Sequence, residues 1–130
     1  MRVVIDTNVL VSALWSKNNR LSQIISAVIN DKLIACYNAA IMAEYEDVLN
    51  RPILAFHFEK SRVDEIINKI KVDGLSVTVS PSSIPLPDES DRVFYDVAKA
   101  CEAYLITKNL QDFPSATFIF PPDQFLYLIE

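Results

Sequence analysis

Arg2-Val3-Val4-Ile5-Asp6-Thr7-Asn8-Val9-Leu10 is the stretch from which the architecture can be read. Three β-branched residues in succession, Val3, Val4 and Ile5, suit a short strand covered on both faces, the environment inside a parallel sheet. Asp6 follows directly, where such a strand ends. Asn8 has the side chain of a helix N-cap, which predicts a helix starting at Val9 with Leu10, Ala13 and Leu14 at core spacing. Ligands of open α/β sheets bind in the crevice beyond the carboxyl ends of the strands. Asp6 therefore stands at an expected active-site position beside a helix N-terminus. An acid that merely ends a strand and enters a turn looks the same in this stretch alone.

Outward from there, helical and strand patterns alternate to the end of the chain. Leu21, Ile24, Ile25, Val28 and Ile29 predict a helix over 21–30, and the apolar run 33–37 a strand. Asn38 caps a helix over 39–50 that stops before Pro52. Its stripe is Ile41, Met42, Tyr45, Val48 and Leu49, with Glu44 and Glu46 on opposite shoulders, so periodicity does not choose between the two acids. The short apolar segment 53–58 holds the only histidine, His57, which reads as a packed or surface imidazole rather than a base. A helix over 62–71 has Gly74 at its C-terminal cap, followed by a strand over 75–79 and a proline-rich surface loop over 80–87. Asp88, Glu89, Ser90 and Asp91 open a helix reaching residue 102, with Arg92, Asp96 and Lys99 on its exposed face. A strand over 104–107, a loop over 108–114, a strand over 117–120 and a helix over 123–129 complete the chain. This alternation predicts a three-layered α/β domain with a central parallel sheet of four to five strands, in a single domain over 1–130.

With 130 residues, 51% of them hydrophobic, the chain can build one sizeable core. It has no run approaching the ~18 apolar residues of a membrane span and no signal-peptide pattern, so a cytoplasmic location is expected. Cys36 and Cys101 are too few for a zinc site and read as reduced core thiols. A net charge of −5 argues against broad nonspecific nucleic-acid binding. Carboxylates gathered into one site would supply much of that excess, and a divalent metal would reverse the local sign.

Three acids share one kind of position. Asp6 follows the first strand, Asp91 opens a helix, and Asp112 lies in the loop after the 104–107 strand. Asp91 taken alone also suits a first-turn acid complementing the helix dipole. Crowded carboxylates repel and take up protons unless a cation is present. A cluster lacking His and Cys suits Mg²⁺ or Mn²⁺ and phosphodiester chemistry. Gly74 is the sole glycine, so glycine-rich phosphate loops are excluded. A phosphatase with a nucleophilic Asp needs a second Asp two residues on, where this chain has Asn8.

Four stretches in order carry a family resemblance: Val4 to Leu10, Met42 to Leu49 before Arg51-Pro52, Asp91 to Phe94 leading to Ala98, and Leu105 to Asn109 with Asp112-Phe113. On these the chain resembles the PIN-domain ribonucleases, being most similar to the toxin components of bacterial and archaeal toxin–antitoxin pairs. The resemblance implies a three-layer α/β/α PIN-like fold and metal-dependent cleavage of RNA. It further implies Asp6, Glu44 and Asp91 as metal ligands for Mg²⁺ or Mn²⁺, and Asp112 as a fourth catalytic acid. Many members have Asp where this chain has Asn109, a neutral oxygen donor. Thr7, Asn8, Thr107 and Asn109 are the supporting residues, and Lys17, Arg20, Arg51 and Lys108 the candidates for contacting RNA phosphates. A small antitoxin protein and a second copy of the chain are the implied partners, with Trp15, Phe56 and Phe58 available for an interface. The alternative is a PIN-like module of weakened catalysis that binds RNA or protein.

Overall fold

The computed structural model describes residues 1–15 and 19–130. The strands are β1 (Arg2–Ile5), β2 (Ile34–Tyr37), β3 (Leu75–Ser76), β4 (Tyr104–Ile106) and β5 (Ile119–Phe120). The helices are α1 (Thr7–Leu14), α2 (Ser22–Ile29), α3 (Ala39–Leu49), α4 (Pro52–Ala55), α5 (Lys60–Asp73), α6 (Arg92–Cys101) and α7 (Pro122–Ile129). Every strand pairing is parallel, in the order β3-β2-β1-β4-β5. β1 occupies the centre because Val3, Val4 and Ile5 are buried on both faces. Helices flank the sheet on both sides, giving the expected three-layer α/β/α PIN-like architecture.

The chain runs from β1 outward to β2 and β3, then crosses back through α6 to β4 on the other side of β1. Right-handed crossovers put α6 on the face opposite the helices that link β1 to β2 and β2 to β3. In agreement, α6 packs on β1, β2 and β4, while α2 packs against α1, α5 and α7. The reversal of direction opens a crevice between the carboxyl ends of β1 and β4. Phe94, Val97, Ala98 and Cys101 of α6 enter the core, as do the apolar residues of β4. Cys36 and Cys101 are buried free thiols. Burial and the proximity of Cys101 push the Cys36 thiol up to about 12, so it remains protonated.

Several boundaries differ from the sequence reading, each for a tertiary reason. α1 begins at Thr7 rather than Val9, because the Asp6 carbonyl accepts the Val9 amide at 2.9 Å and Asp6, not Asn8, takes the N-cap position. Asn38 caps α3 as expected, its Oδ1 accepting the Ile41 amide at 2.9 Å. β3 and β5 are shorter than expected because each is an edge strand. After Ser76 the Val77 amide still donates to the Tyr37 carbonyl at 3.0 Å, and the chain then leaves the sheet. It passes over α6, so Asp96 does not face solvent. Asp96 is 8% exposed, and its Oδ2 accepts the Ser82 amide at 2.9 Å. Arg92 donates to the Ser82 carbonyl at 2.8 Å and completes the anchor.

Gly74 ends α5 as predicted, but its extended backbone (φ −74°, ψ 171°) any residue could adopt. Close approach is what demands glycine there. A Cβ would lie 2.3 Å from the Ile70 carbonyl oxygen and 2.7 Å from that of Ala35. Gly74→Ala must push α5 away from β2, and it is expected to cost about 1–3 kcal/mol in urea denaturation.

Candidate active site

The sheet register builds the centre. β1 and β4 pair Ile5 with Ile106, and the Asp6 amide donates to the Ile106 carbonyl at 2.9 Å, which extends the pairing one step beyond β1. Asp6 and Thr107 are thus next in register on adjacent parallel strands, where side chains point to the same face. The Thr107 hydroxyl, fully buried, donates to Asp6 Oδ2 at 2.8 Å and accepts the Asn109 amide at 3.0 Å. One threonine therefore fixes both the carboxylate and the loop that carries Asp112.

α3 brings the second acid. Tyr45 is buried and donates its hydroxyl to the Ile5 carbonyl, which holds α3 against the end of β1. Glu44 stands beside it, and its Oε2 accepts the Thr7 hydroxyl. Glu46 points the other way and pairs with Lys71 of α5 at 3.2 Å. The third acid enters through a 3₁₀ turn over Glu89–Asp91 that leads into α6. Asp88 caps this turn, its Oδ1 accepting the Ser90 amide at 2.9 Å. Asp112 ends the 3₁₀ turn Leu110–Asp112 after β4.

The charges of neighbouring acids bear on Asp6 and Asp91. Burial raises the Asp6 carboxyl above the usual range, and the charges of Glu44 and Asp112 raise it further. The Thr107 hydroxyl and the neighbouring Thr7 amide pull it back. Asp91 is pushed up to about 6, first by burial and then by Asp6, Asp88, Asp112 and Glu44. Even the Tyr45 hydroxyl is raised, by burial and then by Asp6 and Glu44. Among the described residues, however, no three His, Cys, Asp or Glu side chains converge closely enough to hold a metal ion as they stand. Asn8 Oδ1, one residue beyond Thr7, is shielded from solvent and has no hydrogen-bond partner among the described residues.

The basic residues divide. Lys108 reaches Ser12 Oγ at 2.9 Å on the wall of the crevice. Arg51 pairs with Asp47 at 2.9 Å. Arg20 turns to α7, where it lies over the Tyr127 ring and meets Asp123 and Glu130 at 3.6 and 3.4 Å. Lys17 lies outside the described residues. Sequence reasoning missed two contributors, Asp88 and Tyr45. Asp88 had a signal in its spacing to Ser90, since an Asp side chain bonding the amide two residues on makes an Asx turn. Tyr45 was visible as a core-stripe residue, and a buried Tyr hydroxyl requires a partner. Which partner, 40 residues away, was not visible.

The family model described as PIN domain matches residues 2–111. No curated protein and no solved structure matches the chain.

Proposed function

The chain belongs to the PIN-domain family, and from that premise we propose that it is a metal-dependent endoribonuclease whose centre is Asp6, Glu44, Asp91 and Asp112. The observation that carries the reading is that Thr107 holds Asp6 and Thr7 holds Glu44 at the carboxyl end of β1, which joins the elements bearing these acids. They come from widely separated parts of the chain, yet the charges of Glu44 and Asp112 raise both Asp6 and Asp91. All the donors are oxygens, and the unpartnered Asn8 Oδ1 lies one residue beyond Thr7, whose hydroxyl bonds Glu44, so the set suits a hard divalent ion. Asp6, Glu44 and Asp91 are the residues that would hold Mg²⁺ or Mn²⁺. When bound, such an ion supplies a water acidic enough to attack a phosphodiester near neutral pH.

The protein's own groups do the positioning. Thr107 aims one Asp6 oxygen and Thr7 aims one Glu44 oxygen, which limits the freedom of each carboxylate. Asp112 would orient water beside a bound ion, and Asn109 would offer a neutral oxygen where charge would otherwise accumulate. Lys108 and Arg51 are the described cations available to RNA phosphates.

On the resemblance drawn from the sequence, the finer reading is a toxin of a toxin–antitoxin pair. It would act in the cytoplasm as a homodimer and be restrained by a small antitoxin whose segment covers the acidic cleft. No described helix is long and apolar enough to cross a membrane.

The purified chain incubated with RNA is expected to produce fragments with Mg²⁺ or Mn²⁺ and none with chelator. Asn109 and the lack, among the described residues, of three acids close enough to hold an ion favour the competing reading, a binding module of weakened catalysis. RNA that is retained but never cut with either ion would establish that reading instead.

A further inference from the structure

Arg92 follows Asp91 directly, and its guanidinium is engaged within the protein. Its side chain is 13% exposed. Nε and Nη2 donate to the two carboxylate oxygens of Glu89 at 2.8 and 2.6 Å, and Nη1 donates to the Ser82 carbonyl at 2.8 Å and to Ser82 Oγ at 3.2 Å. One planar cation thus ties the turn that carries Asp91 to the segment that leaves β3. The segment is tied again one helical turn further along α6, where the buried Asp96 accepts the Ser82 amide at 2.9 Å. Between Ser82 and Asp88 lie Pro85 and Pro87, whose fixed φ stiffens the link.

The three acids assigned to the ion differ in how they are held. One threonine hydroxyl reaches Asp6 and another reaches Glu44. Asp91 takes the N-cap position of α6, yet its carboxylate makes no capping bond. Neighbouring side chains satisfy the polar groups around it instead. Asp88 receives the Ser90 amide and hydroxyl, and Arg92 neutralises Glu89. The Asp91 carboxylate is therefore not spent on the helix end, while its backbone is fixed on both sides. On one side the Asp88 carbonyl accepts the Asp91 amide at 3.1 Å, and on the other stands Arg92.

We infer that Arg92 is a positioning residue for Asp91: by clamping the Glu89–Asp91 turn to Ser82, it fixes the backbone from which the third carboxylate projects. The inference rests on the metal-dependent reading above and deepens it, since it gives the ordering of Asp91 to a cation that does not itself meet the ion. Charge and geometry predict opposite effects of removing that cation. A positive group beside the acids repels a divalent ion, so by charge alone its loss would tighten metal binding. Loss of the clamp weakens binding, because a ligand carried on a loosened turn must be ordered when the ion arrives.

Calorimetric titration of the full chain with Mn²⁺ reads the sign. Arg92→Gln is expected to weaken Mn²⁺ binding about tenfold, and Arg92→Lys, which keeps the charge and loses the fork, to weaken it nearly as much. Lys60→Gln removes an exposed cation of α5 and should leave the affinity unchanged. Cleavage by Arg92→Lys should recover at saturating Mn²⁺ with an unchanged KM for RNA. If Arg92→Gln does not fold, Arg92→Lys carries the test. Tighter or unchanged binding in Arg92→Gln, native affinity in Arg92→Lys, or a melting temperature that falls while the affinity holds would overturn the inference. A raised KM at saturating Mn²⁺ would also overturn it, by making Arg92 a contact to RNA. A native chain that binds Mn²⁺ without cutting RNA removes the nuclease reading and leaves the affinities to judge the clamp. One that cuts RNA while its Arg92 variants bind Mn²⁺ equally well removes the clamp alone, and one that binds no Mn²⁺ removes both.

Discussion

Asp6→Asn is expected to lower RNA cleavage by a factor on the order of 10²–10³ and, with metal absent, to raise the melting temperature of the chain. Both effects have one cause. Asp6 is 6% exposed, and its charge is opposed by burial and then by Glu44 and Asp112. The ionised group is therefore a liability to the metal-free fold, one that a bound cation would relieve on the proposed reading. The amide oxygen of Asn can still accept the Thr107 hydroxyl, so the network that ends in the Asn109 amide survives while the charge is lost. Asp64→Asn, an exposed acid paired with Lys60 on α5, should change the melting temperature little and serves as the control. Steady-state cleavage with Mn²⁺ and thermal melts in chelator supply the two readings. A variant that loses stability in chelator would show that the carboxylate is held as a structural hydrogen-bond acceptor rather than as a strained charge.

The same residue marks how far local sequence carries. Val3, Val4 and Ile5 declare a buried parallel strand, and with it the site at its carboxyl end. The start of α1 was misassigned because Asp6 and Asn8 both have capping side chains. The decision belongs to the Asp6 amide, whose bond to the Ile106 carbonyl lies 100 residues away in sequence. Glu44 and Glu46 are a parallel case. Helical period leaves them equivalent, and only Thr7 on one side and Lys71 on the other separate them. Asp96 has the period of an exposed position, yet the segment after β3 covers it, and where a loop lies is written in no helix's periodicity. Family motifs name the four acids of the proposed centre, while Tyr45 and Asp88, beside them in the fold, follow from tertiary contacts and turn chemistry.

Lowering the pH of the metal-free chain from about 7.5 to about 5 is expected to raise its melting temperature, against the usual loss of stability in acid. Asp91 titrates in the fold at about 6, above the ordinary carboxyl value near 4. Asp6 is also raised, chiefly by burial. In the window between unfolded and folded values the native chain binds more protons than the unfolded chain, so stability falls as pH rises through that window. Asp88 and Glu89 have the opposite sign. The Ser90 amide and hydroxyl lower the first, and the Arg92 guanidinium lowers the second. Their contribution is present above the ordinary carboxyl value and is lost only as pH drops below it. The two effects therefore occupy adjoining windows, and the metal-free maximum belongs where they meet, near the ordinary carboxyl value of about 4. Saturating Mn²⁺ should raise the melting temperature at neutral pH and flatten the slope, because a ligand that binds only the native state takes over the neutralisation that protons supply in its absence. Asp91→Asn should flatten the slope without Mn²⁺. A melting temperature that falls steadily from about pH 7.5 to about pH 5, identically with chelator and with Mn²⁺, would mean that the acids do not share a field and that no cation relieves them.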